Sequence, residues 1–205
     1  MEGNTWVLWV LALVVLTVII FLIRFITWRR AVQQGRHVHN KVDGILKKYG
    51  LLRNFKVLRN VTISYGNRSA VAEHVLIGFF GILFLTARGE TADFYGERRP
   101  GDWLMIQKKK SGDVKQKIEN PIQHNEEVMS ITRELLGHSG VYNTPMEGLV
   151  IFSGRPKKTT IYCADNTVKR LKDLKSYLNK AKFDKDNNLD VPKIEKILLS
   201  SSQKN

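Results

Sequence analysis

Ala72-Glu73-His74-Val75-Leu76-Ile77-Gly78, followed by Gly81-Ile82-Leu83-Phe84-Leu85-Thr86-Ala87-Arg88, is the stretch whose reading decides the fold. Residues 75–85 form an apolar run of 11 residues that contains Gly78 and Gly81. It is bounded by Glu73-His74 on one side and Arg88 on the other. A bilayer crossing needs about 20 apolar residues, so this run is too short to span one. Its length and its glycines predict two strands joined by a turn, a hairpin buried on both faces.

Working outward, residues 29–52 predict a basic helix, with Val42, Ile45, Leu46, Tyr49 and Leu52 at helical spacing. Residues 55–64 predict a strand closed by a turn at Tyr65-Gly66-Asn67, and 70–78 and 81–87 are the hairpin. Residues 102–109 predict a further strand and 108–113 a loop. Pro121 opens a helix to about Gly137, because proline suits the first turn and glycine the end. Residues 149–153 and 159–163 predict strands, and 167–181 a helix capped by Asp165-Asn166. Asp190 caps a last helix with Pro192 in its first turn. This order predicts an α/β or α+β class around one mixed sheet flanked by helices.

The chain has 205 residues, 33 Lys and Arg against 19 Asp and Glu, and a net charge of +14. It is too apolar for a disordered protein. A single cysteine, Cys163, excludes a disulfide scaffold and a thiolate zinc site. From Trp6 to Ile23 every residue but Thr17 is apolar, and Trp6, Trp9 and Trp28 lie near the ends of the greasy segment. That predicts a membrane-spanning helix over 6–28, with Arg24 snorkelling to the headgroups. A cleaved signal peptide would need a basic start and a small-residue cleavage site, and a buried core helix rarely lacks polar residues for so long. Positive charge follows the span and none precedes it, which predicts an outside N-terminus and a cytoplasmic domain at the inner membrane. The expected layout is 1–5 outside, 6–28 spanning, 29–37 basic juxtamembrane, 38–155 domain, and 156–205 a strand and helices packed on it.

The hairpin with Glu73-His74 and Thr86-Ala87-Arg88, then Trp103, then Asn120-Pro121-Ile122-Gln123, resembles the nuclease-related domain (NERD) family. That family is similar to the PD-(D/E)XK nuclease superfamily, so the resemblance implies a restriction-endonuclease-like fold. It also implies an acid on one strand, a second acid and a lysine on the next, and a glutamine opening a helix. Two such carboxylates hold Mg²⁺, which activates water against a phosphodiester. Residue by residue, Glu73 takes the first acid position and the tentative metal role. Thr86 takes the position of the second acid, Arg88 that of the lysine, and Gln123 that of the glutamine. A hydroxyl does not replace a carboxylate's charge, and arginine does not serve as a proton-transferring base. Asp43 is a loose match to an acid on the family's first helix, and Glu90 and Asp93 lie close by in the chain.

Plainer readings stand beside these. Glu73 can simply pair with Arg88 across the hairpin. His74 reads as a satisfied strand histidine, Gln123 as a local cap, and Trp103 as core. The run from Asp184 to Glu195 looks like a calcium loop, but Leu189 stands where glycine is required, so a helix cap is the better reading. His37 and His39 read as exposed and isolated.

Residues 29–60 carry nine basic side chains and one acid. Arg29, Arg30, Arg36 and Lys41 in this block are expected to contact anionic lipid headgroups, and Lys108, Lys109 and Lys110 to contact lipid or nucleic-acid phosphates. The Lys108–Lys110 loop and the Arg155, Lys157 and Lys158 cluster read either as phosphate contacts or as solvated loop charge. No aromatic residues visibly interleave with these cations in the sequence. The expected partners are therefore the lipid bilayer and DNA or RNA, with Mg²⁺ as cofactor if the site is active. The two functions in competition are metal-dependent phosphodiester hydrolysis and a catalytically inactive, membrane-tethered binding or scaffold module.

Overall fold

The computed structural model describes residues 5–33, 36–109, 111–154 and 158–202. In chain order the elements are α1 (Thr5–Gln33), α2 (Arg36–Arg53), β1 (Lys56–Tyr65), β2 (Arg68–Gly78), β3 (Gly81–Arg88), β4 (Asp93–Tyr95), β5 (Trp103–Lys109) and β6 (Gly112–Ile118). There follow α3 (Pro121–His138), β7 (Met146–Phe152), β8 (Thr160–Tyr162), β9 (Val168–Arg170), α4 (Leu174–Leu178) and α5 (Val191–Ser202).

The apolar N-terminal run is a single helix, and its window Trp9–Thr27 is long and apolar enough to cross a membrane. Its large apolar side chains face outward rather than into a core. Thr17 and Thr27 donate their hydroxyls to the carbonyls of Val14 and Arg24 at 2.8 and 3.0 Å. Each polar group is thereby satisfied within the helix, as an apolar surrounding requires. Of the helix expected over 29–52, the described residues are helical: α1 carries on to Gln33 and α2 starts at Arg36, with 34–35 outside the described residues.

The expected single sheet is corrected to two. The larger has the order β1-β2-β3-β7-β9 and the smaller β6-β5-β4-β8. The hairpin is as expected: β2 and β3 pair antiparallel from Gly78↔Gly81 to His74↔Leu85. Gly81 has φ 133°, and a Cβ there would lie 2.3 Å from the Pro145 carbonyl oxygen, so glycine is required where β7 enters. β3 then pairs parallel with β7, and β7 with β9.

The sequence pattern missed β4 and β6. β4 is three residues long, and nearly all of β6 is exposed, so neither shows an apolar alternation. The segment expected as a loop over 108–113 is the tight end of the β5–β6 hairpin. The helix expected over 167–181 is also corrected. Residues 168–170 pair with the open edge of β7 instead, and only the five-residue α4 and two 3-10 turns follow. Backbone bonds to a waiting strand edge outweigh the weak helix propensity of a polar segment.

α2 covers one face of the larger sheet. Val38, Val42, Leu46 and Tyr49 pack on Leu76, Leu83, Leu85, Ala87, Leu149 and Ile151. On the opposite face Val75, Ile77, Ile82 and Phe84 meet α3 through Val128, Ile131 and Leu136, and α5 through Ile194 and Leu198. Full burial of such a side chain contributes about 1.5–3 kcal/mol, so the hairpin at the centre of both layers dominates the core. A third cluster, with Phe94, Trp103, Met105, Ile122, Val150 and Phe152, binds the small sheet to the large one.

Candidate active site at the open end of the hairpin

Glu73 lies where pairing fails on both sides of β2. The β2–β3 ladder stops at His74↔Leu85. The β1–β2 ladder skips the Asn60–Glu73 pair, and Asn60 takes a left-handed φ of 50°. Asparagine tolerates that conformation better than most residues. The Glu73 side chain fills the gap. Its Oε2 accepts the Ala87 N–H at 2.7 Å, and Arg88 Nη1 lies 3.5 Å from its Oε1. The pairing of Glu73 with Arg88 across the hairpin is therefore present, and the acid also replaces a lost ladder bond.

Thr86, at the position expected for a second acid, is 1% exposed. Its hydroxyl donates to Asn125 Oδ1 at 2.9 Å, and Asn125 Nδ2 donates to the Leu149 carbonyl at 3.2 Å. A closed, neutral hydrogen-bond chain from β3 through α3 to β7 occupies the site. Mg²⁺ wants oxygen ligands in near-octahedral geometry, normally with one or two carboxylates. Here both Glu73 oxygens are engaged and position 86 is neutral and sealed. Among the described residues no group of three His, Cys, Asp or Glu side chains is arranged to hold a metal. As arranged, the donors do not fit a two-carboxylate Mg²⁺ centre.

His39 was read as isolated, and this is corrected. Its Nδ1 lies 3.3 Å from His74 Nε2 and 3.8 Å from Glu73 Oε2. The two rings stack with centroids 5.5 Å apart. The signal was the helical spacing of His39 with the buried Val38 and Val42, which puts it at the edge of the sheet-facing side of α2. His74 was read as satisfied, but its Nδ1 is buried without a hydrogen-bond partner. Burial, and secondarily the neighbouring His39, push its pKa down to about 4. Asp43, one helical turn after His39, is also buried. Lys47 Nζ lies 2.8 Å from its Oδ2, while its Oδ1 has no hydrogen-bond partner. The site is therefore Glu73, Arg88, His39, His74 and Asp43.

Gln123 is not brought to Glu73. Its side-chain amide donates to the Arg98 carbonyl and to Glu126 Oε2. Arg98 in turn forks onto Asp165 at 2.7 and 3.2 Å, which holds that carboxyl far below the usual range. Asn120 caps α3 by accepting from the amides of Ile122 and Gln123, and donates to the carbonyls of Glu97 and Arg99. The Asn120–Gln123 segment thus latches α3 to the loop before β5. Trp103 is core, as expected, with its indole N–H donating to the Glu97 carbonyl. Asp93 is committed to Lys108 and the Thr160 amide on the small sheet. Asp190 and Asp186 accept from the amides of Lys193 and Asn188, which makes the 184–195 run a helix cap.

Of the expected phosphate contacts, Arg29 and Arg30 fall in α1 and Arg36 opens α2, with their side chains outside the described set. Lys41 and Lys109 are exposed, and so is Lys108, which is paired with Asp93. Lys110, Arg155 and Lys157 lie outside the described residues, and Lys158 is exposed. An aromatic pair lies on the small sheet that also carries Lys108 and Lys109. Tyr95 and Tyr162 stack with centroids 4.3 Å apart and an interplanar angle of 7°. The register sets Lys117, Leu104, Tyr95 and Tyr162 in one row across the small sheet, and opposed residues share a face. Only the parallel β4–β8 pairing joins the two tyrosines.

The arrangement defines an α+β domain with two mixed-strand sheets and an acid–guanidinium pair at the open end of its central hairpin. The chain belongs to the nuclease-related domain family, whose model matches residues 34–153. No curated protein and no solved structure matches the chain.

Proposed function

We propose that this chain is a membrane-tethered nuclease-related domain that binds nucleic acid without two-carboxylate metal hydrolysis. The observation that carries this reading is the Thr86–Asn125 hydrogen bond, which closes with neutral groups the position where the reaction needs a second acid. Arg88 at the partly open end of β3 supplies a guanidinium suited to a phosphate. The Lys117–Leu104–Tyr95–Tyr162 row puts a cation and a stacked aromatic pair on one face of the small sheet, the kind of combination that holds a single strand without regard to sequence. Family membership supports nucleic acid as the partner.

The tether is the window Trp9–Thr27 of α1, with the N-terminus outside and the domain in the cytoplasm. The absence of Lys and Arg before this window, and their density after it, support that orientation.

A second reading keeps hydrolysis. Asp43 Oδ1 and His74 Nδ1 are both buried without a hydrogen-bond partner, two donor atoms left unused near Glu73. The purified full chain is to be incubated with labelled single- and double-stranded DNA and RNA, with and without Mg²⁺ or Mn²⁺. Binding without cleavage, with a steep salt dependence, is the expected result. Metal-dependent cleavage abolished by Glu73→Ala would replace it with the hydrolytic reading.

A further inference from the structure

α2 shows a second stripe at the outer edge of the core it packs on. Lys41, Ile45, Lys48 and Leu52 recur along it and oppose Leu171, Lys175, Leu178 and Asn179 from the segment around α4. Together they line a groove of about 550 Å³. That lies within the range of about 300–1,000 Å³ in which small-ligand clefts fall. Its floor is apolar, and Leu52 is left 75% exposed at its end.

The rim is cationic. Lys41, Lys48 and Lys175 are exposed, no acid lines the groove, and no ion pair engages any of the three among the described residues. Lys47 and Arg53 on the same helix differ, being paired with Asp43 and Asp184. Gly44 lies in the middle of the helix and of the groove, where a Cβ would meet nothing within 4 Å. A mid-helix glycine costs about 1 kcal/mol relative to alanine, and here it leaves the groove open.

We propose that this groove binds one anionic phospholipid of the bilayer that α1 spans, with the apolar floor taking acyl chain and the three lysines the phosphate. This rests on the reading of α1 as a membrane anchor. The chain supplies the continuity: Lys41 follows the last residue of α1, Gln33, by eight positions. Fourteen residues separate Lys41 from Thr27, the end of the apolar window, about 21 Å if helical throughout, so the groove stays within reach of the bilayer surface. A nucleic acid would use the cations but leave the apolar floor unmatched, whereas an anionic amphiphile matches both.

The test has two arms, both on the full chain. Alkaline extraction of membranes reports the anchor alone: release into the soluble fraction would overturn the tether without touching the groove. Titration of the detergent-solubilised chain with a short-chain, water-soluble phosphatidylglycerol reports the groove alone. Saturable binding is expected, with hydrogen-exchange protection confined to α2 and residues 171–179. Each of Lys48→Gln and Lys175→Gln should weaken it about fivefold, given the contribution of a surface lysine near anionic lipid. Gly44→Trp should abolish binding while the melting temperature holds. Equal binding of the matching phosphatidylcholine, full competition by inorganic phosphate or an oligonucleotide, or undiminished binding by Gly44→Trp would each overturn the proposal.

Discussion

The Glu73 carboxylate accepts the Ala87 N–H at 2.7 Å where the backbone ladder between β2 and β3 ends. A side chain therefore does the work of a strand, and Arg88 holds it from the other oxygen. Glu73→Ala leaves an amide and a guanidinium without their partner, and should cost about 1–3 kcal/mol. Glu73→Gln keeps an acceptor and should cost less. Urea unfolding of the two variants checks this. Equal stability of Glu73→Ala and wild type would show that the acid does not hold the hairpin.

The Thr86–Asn125 bond should behave as a structural pair. Thr86→Val keeps the shape but leaves Asn125 Oδ1 without its donor, at about 1–3 kcal/mol. A cycle with Asn125→Ala should return a coupling of about 0.5–3 kcal/mol. Nucleic-acid affinity should stay unchanged in Thr86→Val. A loss of affinity without a loss of stability would move Thr86 into the binding surface.

His74 gives the domain a pH dependence. Burial, then His39, hold its pKa at about 4 against about 6.5 in the unfolded chain, with Asp43 opposing and Arg59 assisting. Between these values the unfolded state binds the extra proton. Stability is complete above the unfolded value and falls as pH drops from about 6.5 to about 4, by on the order of 3 kcal/mol. Denaturant midpoints across that range in metal-free buffer should show the slope, and His74→Gln should flatten it. The same slope in His74→Gln would assign the effect elsewhere.

Asn120→Ala removes both the cap of α3 and the ties to Glu97 and Arg99. Loss of such a cap costs about 1 kcal/mol, up to about 2. Hydrogen exchange should rise in residues 97–99 and in the first turn of α3 together. Faster exchange in the helix alone would mean that the latch to the loop carries no weight.

Much of the fold was legible because the core elements repeat an apolar pattern locally. The hairpin, α3, α5 and the apolar helix each carry their burial in their own residues. β4, β6 and β9 do not: three residues, an almost wholly exposed strand, and a polar edge strand take their form from the neighbours that pair with them. The site was half legible. Glu73 and Arg88 stand out by strand position, whereas His39 and the Tyr95–Tyr162 stack depend on elements far apart in the chain.

What the sequence alone determined was the greasy helix with its charge asymmetry, the doubly buried hairpin, and the neutral residue at position 86. These are properties of composition and short-range spacing, which no packing can alter. Only the tertiary structure decided what the polar residues do: that Gln123 belongs to a latch, that Asn125 closes over Thr86, and that Asp43 and His74 are left short of partners. A polar side chain's role depends on which donor or acceptor it meets once water is excluded, and that meeting is made by residues distant in sequence.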